Sequence, residues 1–93
     1  MNKAEARAIA ERDLEFYRAM PYEEIANRIG AAESFERVSR QGEPYQIEFD
    51  FFYDAAEKQN IRVVGMVSYS LWTDFSPVSE DFIIAPDGTF ISE

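Results

Sequence analysis

The sequence predicts an α+β fold, with two N-terminal helices packed on one face of a four-stranded antiparallel meander sheet, in one domain over residues 1–93. Three observations carry this reading. Apolar residues recur at three- and four-residue spacing up to about residue 30, then at two-residue spacing from about residue 33. Pro21, Gly30, Gly42 with Pro44, and Pro86 with Gly88 punctuate the chain at the intervals of short elements. The composition, 46% hydrophobic and 15% aromatic, belongs to a chain that builds a core and not to a disordered one. So short a chain buries only roughly 60–65% of its unfolded surface, and its large aromatic side chains raise the area buried per ordered residue.

Residues 3–19 read as the first helix, rich in Ala, Glu, Arg and Leu and free of Gly and Pro. Ala6, Ile9, Ala10, Leu14, Tyr17 and Met20 share one face, while Glu11, Glu15 and Arg18 point away. Asp13 breaks the pattern, falling near the middle of the apolar stripe. Pro21 ends this helix and opens a second, over 22–30, because the first turn does not need the missing N–H. Glu23 and Glu24 suit the positive end of that helix, Tyr22, Ile25, Ala26 and Ile29 form its buried face, and Gly30 stops it.

Strands are expected at about 34–40, 45–53, 61–72 and 80–85, with a short return at 89–92. The clearest is the second, where Tyr45, Ile47, Phe49, Phe51 and Tyr53 alternate with Gln46, Glu48, Asp50 and Phe52. Setting Tyr53 opposite Ile61 brings Phe51 to Val63, Phe49 to Gly65, Ile47 to Val67 and Tyr45 to Tyr69. Five consecutive pairs then share one apolar face, and a one-residue slip would destroy that agreement. Gly65 opposite Phe49 is a site where a ring covers a glycine backbone. A loop follows over 73–79, and Ala85-Pro86-Asp87-Gly88 is a turn.

What the chain lacks narrows its chemistry. It has neither cysteine nor histidine, so a Ser–His–Asp triad, a Cys–His pair, a disulfide or a His- or Cys-ligated zinc site cannot be made from it alone. The net charge is −9, and the few basic residues are scattered from Lys3 to Arg62. Nucleic-acid binding is therefore not expected, since it draws on clustered Lys and Arg releasing counterions. The first residues mix charges without an apolar stretch, and the longest apolar run, around Val63 to Val67, is far short of a membrane span. No membrane association is expected, and the expected location is cytoplasmic.

Four strings occur together in order: Met20-Pro21-Tyr22-Glu23-Glu24-Ile25, Tyr45-Gln46-Ile47-Glu48, Asn60-Ile61-Arg62-Val63-Val64-Gly65, and Asp81 through Phe90. Together they resemble a family of small uncharacterised bacterial proteins of about this length. The resemblance implies a whole bacterial protein and brings no catalytic residue with it. The layout is also similar to cystatin-like sheets that wrap helices, an analogy without functional content.

Three sets of residues are candidates for function. Asp13 sits on an apolar face, where a carboxylate must be paired or hydrogen-bonded. It either accepts structurally, from the second helix's amides, a tyrosine, Arg28 or Arg37, or anchors a ligand in a pocket with Tyr17, Phe49 and Tyr69 as walls. The second set is the other sheet face, where Phe52, Val64 and Met66, joined by Trp72, Phe82 and Ile84, mix with acids. Such a face marks an interface, a homodimer contact included, unless a loop or the C-terminus covers it. The third set is carboxylate pairs: Glu48 with Asp50, Asp54 with Glu57, and Glu80 with Asp81. None has a metal-loop spacing, and eighteen acids make pairs by chance. The expected function is a non-enzymatic protein-interaction module, a homodimer or a neutraliser of a basic partner, without a cofactor. The alternative is a small-ligand-binding domain with its pocket between helices and sheet.

Overall fold

The computed structural model describes residues 1–57, 59–70 and 76–91. Helix α1 (Lys3–Arg18) is capped by Asn2, whose side-chain oxygen accepts from the Glu5 N–H at 2.8 Å. Helix α2 (Tyr22–Ala26) is a single turn and a half, shorter than the 22–30 expected from its apolar spacing. From Arg28 onward the backbone N–H groups bond to the residue three back, Arg28 to Ile25 and Ile29 to Ala26, so the helix tightens and ends. Gly30 then takes φ 85° and turns the chain into the sheet. The helical layer is thus one long helix and a short plug.

The sheet has five strands, not four: β1 (Ala32–Val38), β2 (Pro44–Tyr53), β3 (Ile61–Ser68), β4 (Val78–Ile84) and β5 (Phe90–Ile91). They form an antiparallel meander in sequence order. The short return joins as a full edge because Asp87 closes the last turn. Its Oδ1 accepts from the Thr89 N–H at 3.0 Å and hydroxyl at 2.7 Å, which lowers the Asp87 pKa, and Gly88 supplies φ 89°.

The β2–β3 register places Tyr53 opposite Ile61, Phe51 opposite Val63, Phe49 opposite Gly65 and Ile47 opposite Val67. The fifth expected pair is not formed. β3 ends at Ser68, before Tyr69, and Tyr45 pairs with Arg37 on β1. β1 begins two residues earlier than expected, since Ser39–Glu43 is already the turn, with Ser39 N–H donating to the Glu43 carbonyl at 2.8 Å.

α1 lies across β3 and β4. Ala6 and Ala10, both fully buried, let the helix approach closely, and Leu14 reaches to 3.5 Å from where a Cβ on Gly65 would stand. Below them lie Ile47, Phe49, Phe51, Ile61, Val63, Val67, Phe82 and Ile84. Ile25 of α2 closes the end of this core, and Tyr22 ties the plug to the β2–β3 connection by donating to the Gln59 carbonyl at 2.5 Å.

Candidate functional site

Because α1 lies over β3 and β4, no described helix lies over β1 on the same sheet face. The register puts Glu33, Phe35 and Arg37 there, beside Phe49, Ile47 and Tyr45. A groove of about 320 Å³ runs between α1 and β1, walled by Phe16, Tyr17, Phe35 and Phe49 with Arg12, Asp13 and Arg37 among them. Phe16 and Phe35 are 65% and 41% exposed, unusual for rings lying beside a core. Asp13, Tyr17 and Phe49 therefore come together. Tyr69 does not: it lines a separate depression of about 670 Å³ at the sheet end, with Tyr45, Pro44 and Val38.

Asp13 is paired within the chain. Its Oδ2 accepts from Arg37 Nη1 and its Oδ1 from Arg12 Nε at 3.2 Å, which raises the Arg12 pKa. The Arg37 guanidinium also lies 5.2 Å from the centre of the Phe35 ring. A carboxylate held by two guanidiniums joins helix to edge strand across the groove. Asp13→Ala is expected to cost about 1–2 kcal/mol in urea unfolding, less than a deeply buried pair, because solvent reaches the abandoned arginines.

Tyr17 anchors a second polar string. Its ring packs 4.7 Å from Phe49 and 5.3 Å from Phe51, and its hydroxyl donates to Glu33 Oε1 at 2.5 Å. Glu33 Oε2 accepts from Arg28 Nε at 3.1 Å, and Arg28 Nη1 donates to the Glu24 carbonyl at 3.0 Å. Burial, then the hydrogen bond to Glu33, pushes the Tyr17 hydroxyl well above its ordinary value of 10.0. Below pH about 10 the phenol is neutral in folded and unfolded chains alike, and its contribution to stability is complete. Above that pH the unfolded chain ionises first, so stability falls. Tyr17→Phe is expected to flatten that alkaline loss while lowering neutral-pH stability by about 1–2 kcal/mol, read by circular dichroism along a pH series.

The opposite sheet face carries no second layer among the described residues. It presents Glu36 of β1, then Glu48, Asp50 and Phe52 of β2, then Arg62, Val64 and Met66 of β3. Met66 stands opposite Glu48 and Val64 opposite Asp50, so apolar and acidic groups alternate across the strand pair. Phe52 is 43% exposed, and Val64 and Met66 are half-buried. Two of the expected interface residues lie elsewhere. Phe82 pairs with Val63 and Ile84 with Ile61, which puts both on the helix side, where Arg18 sits 4.8 Å from the Phe82 ring centre. The intervening Ile83 takes the outer face, pairing with Ile91, and is only 3% exposed. Trp72 lies outside the described residues.

The carboxylate pairs separate. Asp54 and Asp81 both bind Arg62, the former at 2.8 Å from Nη2. Glu80 stands opposite Gly65 and Asp81 opposite Val64, so these neighbours face opposite sides, and Glu80 is held by Arg7 Nε at 2.8 Å. Only Glu48 and Asp50 share a face, and neither has an ion-pair partner among the described residues; nor does Glu36. Among those residues no group of three or more acidic side chains is placed to hold a metal ion. No helix is long and apolar enough to cross a membrane.

Sequence pattern marks Arg37 as one possible donor to Asp13 but gives no sign of the groove walls Phe16 and Phe35. Phe16 falls off the helical stripe and Phe35 lies in the weakest strand, so neither periodicity marks them. Comparison with protein-family models, with curated proteins and with solved structures finds no match to this chain. The family resemblance therefore rests on its four strings alone.

Proposed function

We propose that this chain is a non-enzymatic protein-interaction module whose outer sheet face docks a basic partner. The observation that carries the reading is the row of Glu36, Glu48 and Asp50 beside Phe52, Val64 and Met66, on a face that carries no second layer among the described residues. Asp13, Glu33, Asp54, Glu80 and Asp81 are held by arginines of this chain. Glu36 is exposed, Glu48 and Asp50 are half-buried, and none of the three has an ion-pair partner among the described residues. Glu48 and Asp50 share one strand face and Glu36 lies diagonal to Glu48, so their like charges repel, and a cationic partner would relieve that repulsion. The apolar groups between them supply burial, and the acids supply orientation and encounter rate. A second copy of the same face would bring carboxylate onto carboxylate, which favours a basic partner over self-association there.

The test is calorimetric titration with a decapeptide of alternating lysine and valine, against wild type and Glu48→Gln/Asp50→Asn. The double variant is expected to bind at least about tenfold more weakly and to melt at or above the wild-type temperature. Glu11→Gln/Glu15→Gln on the exposed side of α1 serves as control and leaves affinity unchanged. Equal loss in both double variants would reduce the effect to net charge and remove the reading.

A second reading has one observation in its favour: Asp13, Tyr17 and Phe49 line one groove of about 320 Å³. As a small-ligand pocket it would raise the melting temperature in a ligand screen, since binding to the native state alone must stabilise it.

A further inference from the structure

The edge of β1 is the longest open edge of the sheet. β1 has seven residues and pairs with β2 on one side, and on the other with no strand among the described residues. The opposite edge, β5, has only two. Proteins blunt long edges with proline, charged side chains, a bulge or brevity; Ala32-Glu33-Ser34-Phe35-Glu36-Arg37-Val38 has no proline, and its three charges restrict it to a strand whose charges complement them. Half of its N–H and C=O groups point outward, a ready template for another strand.

The sequence of this edge is complementary to itself. Laid antiparallel on a second copy with Phe35 at the two-fold axis, Glu33 faces the other copy's Arg37 and Arg37 its Glu33. Ser34 faces Glu36, Ala32 faces Val38, and Phe35 meets Phe35. Glu33, Phe35 and Arg37 all lie on the helix side of the sheet, so both ion pairs flank the aromatic contact on one face. Directly opposite side chains stand about 4.5–5.5 Å apart, within reach for each of these pairs. Sliding the pairing by two residues one way sets Glu36 against Glu36. Sliding it the other way sets Glu33 against Phe35 and leaves Arg37 opposite Ala31. Of these registers, only the first sets both Glu33–Arg37 pairs together and opposes no like charges.

We infer that β1 pairs edge to edge with β1 of a second copy of this chain, joining two five-stranded sheets into one continuous sheet. The two-fold axis is perpendicular to the sheet, so both α1 helices lie on the same side. The grooves beside β1 then meet over the join, which covers Phe35 and brings the exposed Phe16 of each copy to its margin. The ion pairs extend networks already present: Asp13 holds Arg37, and Arg28 holds Glu33, so charges alternate across the junction. The inference stands on the strand edge and not on the outer face, so either can fail alone.

Sedimentation equilibrium of the full chain, from micromolar to millimolar concentration, tests it. Wild type is expected to show the mass of two chains. Phe35→Lys and Phe35→Glu each place like charges on the axis and are expected to sediment as single chains, folded by circular dichroism because position 35 is exposed. An equimolar mixture of the two sets Lys against Glu and is expected to regain the two-chain mass. Glu48→Gln/Asp50→Asn is expected to keep the dimer, which separates this contact from the outer face. A wild type that sediments as one chain, a Phe35→Lys variant that stays dimeric, or a mixture that stays monomeric would each overturn the inference.

Discussion

Phe49→Ala is expected to cost about 3–5 kcal/mol and to turn Gly65→Ala from a damaging change into a mild one. Phe49 is 1% exposed and packs against Tyr17 at 4.7 Å and Phe35 at 6.4 Å between ring centres. On its other side the ring lies over Gly65, where an added Cβ would stand 3.0 Å from Phe49 Cε1 and 3.3 Å from Cδ1. The ring would have to give way by a few tenths of an ångström. It has nowhere to go, because Tyr17 backs it and Leu14 Cγ is already 3.5 Å from the same point. Gly65→Ala alone is therefore expected to lose about 1–3 kcal/mol by overpacking. With Phe49 removed, the new methyl enters the cavity and the strand gains the roughly 0.5–1 kcal/mol that glycine forfeits. Urea unfolding of the two single variants and the double variant measures the coupling. Additive losses would contradict the contact.

Leu14→Ala is expected to be nearly as severe, about 2–5 kcal/mol, because among the described residues α1 is the only long cover over β3 and β4. Ala6 and Ala10 above it bring the helix backbone close but add little apolar volume, so Leu14 and Tyr17 fill most of the space beneath. Its loss opens a void beside Gly65. Since small domains carry only about 5–15 kcal/mol in total, Leu14→Ala combined with Phe49→Ala should not fold at all. Thermal melting followed by circular dichroism distinguishes this from a native-like transition.

The parts of the fold legible in sequence are those where two patterns constrain each other. β2 and β3 both alternate, and Gly65 fits only opposite a large ring, so four pairs of their register follow from residue types. β4 gives no such purchase. Phe82, Ile83 and Ile84 are three consecutive apolar residues, and a run of that kind does not say which face each side chain takes. Pairing with β3 decides it, sending Phe82 and Ile84 inward and Ile83 outward, the reverse of what the expected interface required. Asp13 was conspicuous as a charge in an apolar stripe, but its partner Arg37 is 24 residues away on a weakly patterned strand. The groove was half visible for the same reason: its helix and β2 walls obey clear periodicities, and its β1 wall does not. The apolar spacing of α2 continues to Ile29 after the hydrogen bonding has already tightened, so periodicity alone predicts a longer helix than forms.

The outer face is built on the β2–β3 pair, and its functional reading can be mapped residue by residue. The most direct measurement is amide chemical-shift mapping of the isotope-labelled chain titrated with the alternating lysine–valine decapeptide. The account predicts saturable shifts concentrated at Glu36, Glu48, Asp50, Phe52, Val64 and Met66, largely lost in Glu48→Gln/Asp50→Asn. Shifts spread over the exposed acids of α1, Glu11 and Glu15 included, with the outer strands no different from the rest, would contradict it.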